Sequence, residues 1–134
     1  LQAAVGCAQL EQLDGFVAAK RRIARRYDEE LGALPGVGCF PRPAWAESAC
    51  WFSGVTVATP TVAELRPLLR EQGVDSRPFW KPVHLQVPYR QAPATAMPVC
   101  EALWQRVLTL PCSTGLTDGE QAQVIAAVRS VLAR

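Results

Sequence analysis

Val107-Leu108-Thr109-Leu110-Pro111-Cys112-Ser113-Thr114-Gly115-Leu116-Thr117-Asp118-Gly119-Glu120 holds a strand, a turn and a helix start in one run. Val107 to Leu110 is short and mainly apolar, and Pro111 closes it, which suits a buried strand. Thr117 and Glu120 have the spacing of a capping box, in which each side chain accepts from the other residue's backbone N–H. Residues 118–133 then read as an amphipathic helix through Val124, Val128, Val131 and Leu132. Upstream the same grammar repeats. A helix is expected at about 98–106, with Val99, Leu103, Trp104 and Val107 on its apolar side. Thr61 and Glu64 form a second capping box. The helix behind it carries Leu65, Leu68 and Leu69 and stops at Gly73. Residues 50–57, Cys-Trp-Phe-Ser-Gly-Val-Thr-Val, are rich in aromatic and β-branched side chains and read as a strand. Val74 to Phe79 reads as another short one.

Residues 1–34 read as one long helix. Leu10, Leu13, Val17, Ala24, Tyr27, Leu31 and Leu34 recur at steps of three, four or seven, an apolar stripe at helical period. Gly15 is a soft point within it, and Gly32, Pro35 and Gly36 end it. Pro35 to Ser48 reads as a loop. Five prolines between residues 78 and 98 exclude an ordinary helix or central strand there. The order is helix, strand, helix, strand, loop, helix, strand, helix. It predicts an α+β fold: a long N-terminal helix and a small three-stranded, mainly antiparallel sheet with helices packed on it.

The chain has 134 residues and a mass of 14.6 kDa, one domain by length. Such a domain buries about two-thirds of the surface its unfolded chain exposes. Hydrophobic residues at 49% and charged residues at 19% are globular proportions. A net charge of +2 gives no electrostatic case for nucleic acid or an anionic membrane as main partner. No apolar run approaches the roughly 20 residues a bilayer span needs. Cys7, Cys39, Cys50, Cys100 and Cys112 are odd in number, contain no CxxC and are joined by a single His. That argues against structural zinc and for reduced thiols in a cytoplasmic protein.

The richest candidate for chemistry is Arg77-Pro78-Phe79-Trp80-Lys81-Pro82-Val83-His84-Leu85-Gln86. It gathers the only His, one of two Lys, an Arg, a Gln and a Trp. A proline-stiffened loop with cations, an amide and aromatic faces suits an anionic, hydroxylated ligand. Arg77 and Lys81 suit phosphate, His84 and Gln86 suit hydroxyls, and Trp80 suits a sugar or base face. The same residues also fit a surface loop whose Trp80 plugs the core. Lys81 raises the question of Schiff-base chemistry, which needs a desolvated amine. Lys20 sits in a basic helical patch and is expected in solvent. Arg21, Arg22, Arg25 and Arg26 are expected to pair with Asp28, Glu29 and Glu30 on a salt-bridged helix face. Pro111-Cys112-Ser113 reads as a turn.

Three segments together resemble a known family. Leu1-Gln2-Ala3-Ala4-Val5-Gly6, with Gln9-Leu10 and Leu13-Asp14, is similar to the helix that opens the C-terminal part of DegT/DnrJ/StrS-type sugar aminotransferases. Arg77 to Gln86 resembles a substrate-side loop of that family, and Leu108 to Thr117 resembles its late strand and turn. The order of the three is the family's. The resemblance implies residues 1–34 as a linking, dimer-side helix and residues 35–134 as a C-terminal small domain. It implies a homodimer with pyridoxal 5′-phosphate held on a lysine outside this chain, in a large domain that precedes it. It implies no metal. The implied reaction moves an amino group from glutamate to a keto group of a nucleotide-linked sugar. The Trp-Lys-Pro-x-His form of the loop is similar to enzymes acting on UDP-linked 4-keto-6-deoxy sugars. Implied substrate-binding residues are His84, Lys81, Gln86, Trp80 and Arg77, with no catalytic residue in the chain. Val87-Pro88-Tyr89 departs from the family's usual continuation. Two rivals stand beside this reading: a sugar dehydratase of the same family, and a free-standing small-molecule-binding module. An exposed apolar face on residues 1–17 is expected if a larger domain belongs there.

Overall fold

Two opposed facts shape the N-terminal third: the first helix buries nothing and the second buries a great deal. The computed structural model describes residues 1–133. α1 (Gln2–Leu10) has no buried residue, and Leu1, Val5 and Leu10 are all exposed. α2 (Leu13–Leu31) buries Ile23, Ala24, Tyr27 and Leu31. The single helix expected over 1–34 is therefore two. Gln12, at φ −107° and ψ 0°, interrupts it, and its N–H turns to the Gln9 carbonyl at 3.2 Å. The break precedes Gly15, which lies inside α2, because α1 has no packing to hold it in line with α2.

Four antiparallel strands follow: β1 (Val37–Cys39), β2 (Ser53–Val57), β3 (Arg77–Pro78) and β4 (Val107–Leu110), in spatial order β1-β2-β4-β3. The sheet thus has one strand more than the three expected. β1 lies in the stretch read as a loop and pairs Val37 with Val57 and Cys39 with Val55. Three residues between Gly36 and Phe40 are too few to show alternation. α3 (Val62–Glu71), α4 (Pro98–Leu103) and α5 (Asp118–Leu132) complete the chain, with two 3-10 turns at Val83–Leu85 and Val87–Tyr89. Both capping boxes form: the Glu64 and Glu120 carboxylates accept from the N–H of Thr61 and Thr117 at 2.7 and 2.8 Å. Gly73, at φ +77°, takes the left-handed conformation that ends α3.

The core lies between α2, α3, α5 and one sheet face. Val55, Val57, Leu108 and Leu110 meet Ile23, Tyr27, Leu65, Leu69, Val124 and Val128 there. Tyr27 is fully buried and donates its hydroxyl to the Pro111 carbonyl at 2.8 Å. Gln121, equally buried, donates to the Ile23 carbonyl at 2.8 Å, tying α5 to α2. Of the expected ion pairs along α2 only Arg26–Glu30 forms, at 3.4 Å. Arg21 turns instead to Glu47 at 2.5 Å, Asp28 and Glu30 take Arg42 and Arg129 from elsewhere in the chain, and Arg22 and Arg25 make no ion pair among the described residues. Among the described residues, no helix is long and apolar enough to cross a membrane.

Candidate functional site

Strand alternation sends Val55 and Val57 to the core and so leaves Phe52, Gly54 and Thr56 on the opposite face. The ladder sets Gly54 against Thr109 and Thr109 against Arg77. Gly54 keeps this face flat, because a Cβ there would lie 2.0 Å from the Leu108 carbonyl oxygen. Thr109 Oγ1 donates to the Arg77 carbonyl at 3.0 Å and fixes the short edge strand. The result is a shallow hollow of about 140 Å³ lined by Phe52, Arg77, Phe79, Trp80 and Thr109. A second hollow of about 280 Å³ continues it past Arg77 and Thr109 toward Pro111 and Ser113.

Aromatic rings wall this face. Trp80 lies 5.0 Å from Phe52 edge-on, 5.3 Å from Phe79 and 5.6 Å from Trp51, centroid to centroid. Such distances and tilts are those of favourable aromatic pairs. Trp80 is 59% exposed and Trp51 69%, so Trp80 does not plug the core. An open aromatic cluster on the sheet face away from the helices is a surface built to be covered. Arg77 stands at its edge, its guanidinium 3.2 Å from Asp75, with both side chains mostly in solvent.

The other residues singled out in the loop are arranged differently. His84, in the first 3-10 turn, holds Glu101 of α4 at 2.9 Å through Nε2 and is 15% exposed. Gln86 donates to the Lys81 carbonyl at 2.9 Å, closing the loop on itself. Lys81 Nζ lies 5.6 Å from the Trp104 ring centroid, a cation–π distance. The structure therefore brings Arg77 and Trp80 together at the hollow, while His84 and Gln86 brace the loop behind them. Phe79 falls within the stretch singled out in the sequence, whereas Phe52, Trp51 and Thr109 were not identified there as parts of a site. The alternation through residues 50–57 is the signal that places Phe52 on this face.

Lys20 is half-buried rather than fully in solvent. Its Nζ donates to the Cys112 carbonyl at 2.6 Å and the Trp51 carbonyl at 3.0 Å, and lies 3.6 Å from Cys112 Sγ. It joins α2 to the chain entering β2 and the turn leaving β4. Lys20 is thus engaged by two carbonyls, while Lys81 lies exposed beside an indole. Among the described residues, no three of His, Cys, Asp and Glu gather as a metal site.

The profile of the DegT/DnrJ/EryC1/StrS aminotransferase family matches residues 1–129. EpsN of Bacillus subtilis (strain 168), which carries the name of a pyridoxal phosphate-dependent aminotransferase, is 36% identical over 92% of this chain and 33% of its own length. A GDP-perosamine synthase of Caulobacter vibrioides is 31% identical over 98% of this chain and 37% of its own. The crystal structure of the aminotransferase TlmJ from Streptoalloteichus hindustanus superposes with a TM-score of 0.87 at 32% identity, covering 98% of this chain and 36% of that one. The chain spans about a third of the length of the curated relatives it matches.

Proposed function

Because the chain belongs to the DegT/DnrJ/EryC1/StrS aminotransferase family, we propose that it forms the C-terminal, substrate-facing part of a pyridoxal phosphate-dependent sugar aminotransferase. The reaction moves an amino group from glutamate to a keto group of a nucleotide-linked sugar. Pyridoxal phosphate supplies the electron sink for that transfer, held by a lysine outside these residues. The likeness to a GDP-perosamine synthase supports a nucleotide sugar as substrate. On this reading residues 1–34 are the linking, dimer-side segment and residues 35–134 the small domain. The unburied α1 supports this, since a helix with no buried residue needs a neighbour to pack on.

The observation that carries the reading is the open hollow between Arg77 and the rings of Phe52, Phe79 and Trp80. Trp80 offers a flat face for the sugar and Arg77 a cation for the diphosphate, while the Lys81 ammonium lies by Trp104, outside this hollow. His84 and Gln86 act on the substrate by fixing the loop that presents these groups. Holding the keto carbon in one orientation lowers the barrier without a proton donor in this chain. The test is steady-state kinetics of the complete enzyme. Arg77→Ala and Trp80→Ala raise KM for the nucleotide sugar, and His84→Ala weakens sugar turnover, all with unchanged cofactor absorbance. Unaltered sugar kinetics in all three variants removes this face from the substrate site.

A further inference from the structure

We propose that Lys20 is a positioning residue of the sugar site. Its ammonium ties the chain entering β2 to the turn leaving β4, and so sets the aromatic wall of the hollow against its far end. The inference rests on the reading of that face as the sugar site.

The need for a tie follows from the ladder. Ser53 opposite Leu110 is the last pair of β2 and β4 at this end. Pro111 comes next and has no N–H to give. Its carbonyl accepts from the Tyr27 hydroxyl instead. One position further along the same register, Trp51 faces Cys112. Both turn a carbonyl to the same point, and two acceptors cannot bond each other. An ammonium has three donors and no acceptor, so it bridges them. Lys20 Nζ does this at 3.0 Å to Trp51 and 2.6 Å to Cys112, across 31 and 92 positions of chain. The Cys112 thiol closes the junction, 3.6 Å from Nζ and 3.7 Å from the Trp51 carbonyl.

The tied segments are the walls of the site. Phe52 lines both hollows, and Cys112 and Ser113 line the second. Strict alternation would send Trp51 to the helix side of the sheet. Its ring lies instead on the open face, 4.7 Å from Phe52 and 5.6 Å from Trp80. The departure begins at Cys50, whose φ of +53° is left-handed backbone at a residue with a side chain. Such a conformation persists only where its surroundings hold it. Two neighbouring cations of α2 hold it from either side: Arg21 donates to the Ser48 carbonyl at 2.9 Å, and Lys20 to that of Trp51. Between them the Cys50 N–H donates to Ser48 Oγ at 3.0 Å. Without the ammonium the two facing carbonyls repel, and the end of the sheet opens. Trp51 and Phe52 then move away from Ser113, and displacements of about 1 Å suffice to spoil a bound geometry.

The test uses the complete enzyme. Lys20→Met keeps an apolar stem without donors, Lys20→Arg keeps the donors, and Lys20→Gln is a milder second probe. One readout is KM and kcat for the nucleotide sugar. The other is the exciton couplet of the Trp51 and Trp80 rings in circular dichroism, assigned by Trp51→Phe. Lys20→Met is expected to raise KM about tenfold with kcat changed less than about twofold, as loss of charge-assisted bonds behind a binding wall does. It is expected to diminish the couplet, Lys20→Gln to act in the same direction, and Lys20→Arg to restore both readouts. Arg77→Ala and Trp80→Ala are the reference. If they raise KM while Lys20→Met and Lys20→Gln do not, the proposal is overturned and the sugar reading stands. If neither reference variant alters KM, the sugar reading fails and the proposal falls with it. A rise in KM with the couplet intact, or one that Lys20→Arg does not reverse, also overturns the proposal.

Discussion

Gly54 tolerates no side chain: an added Cβ would sit 2.0 Å from the Leu108 oxygen and 2.9 Å from Thr109 Cα, both backbone atoms. Gly54→Ala must force β2 away from β4. We expect a loss of at least about 2 kcal/mol in urea unfolding. Tyr27 is a second sensitive position. Burial, aided by nearby Cys112, pushes its phenol well above the ordinary range. The folded state therefore favours the neutral phenol. That stabilisation is complete below the unfolded value, roughly 10, and is lost as pH rises toward the folded one. Tyr27→Phe should cost about 0.5–1.5 kcal/mol at pH 7 through the lost bond to Pro111. It should also flatten the decline in urea midpoint between pH 9 and 11. Residue-scale roles were legible only where a pattern carried them. Tyr27 lies on the helical stripe, and its burial follows from that. Lys20 lies among arginines, and nothing local shows that its ammonium reaches carbonyls 31 and 92 positions away.

At the scale of elements, the signals with a mechanism are the ones the structure realises. Both capping boxes form, and bonds from Thr61 and Thr117 hold the Glu64 and Glu120 carboxyls below their usual range. A lowered folded value means that the contribution is present above the unfolded value, roughly 4.3, and fades as pH falls through the folded one. Thr61→Ala and Thr117→Ala should each cost about 1 kcal/mol at pH 7. They should also remove that part of the acid dependence, as read by thermal unfolding between pH 3 and 6. Tertiary packing, rather than propensity, set the elements that differ from expectation. The helix over 1–34 breaks because only its second part is anchored, and β1 exists because Val57 and Val55 offer it an edge. The proline-rich stretch was correctly free of long elements, but its two 3-10 turns and the brace from His84 to Glu101 depend on α4, distant in sequence.

The whole molecule has one satisfied sheet face and one open one. The first packs on three helices; the second presents Trp51, Phe52, Phe79 and Trp80 beside Arg77. With α1 bare of packing as well, the described residues leave two apolar surfaces for neighbours. The α+β class was legible from periodicity, and the family from three segments in their order. The hollow was not, because its parts come from β2, β3 and β4 and meet only through strand register. On the proposed function, this face serves a glutamate-dependent sugar aminotransferase. The most direct measurement incubates the product of the complete reading frame, loaded with pyridoxal phosphate, with glutamate alone and quantifies 2-oxoglutarate. One equivalent per bound cofactor is the result expected. A protein that retains no pyridoxal phosphate, or retains it and yields no 2-oxoglutarate, would contradict the account.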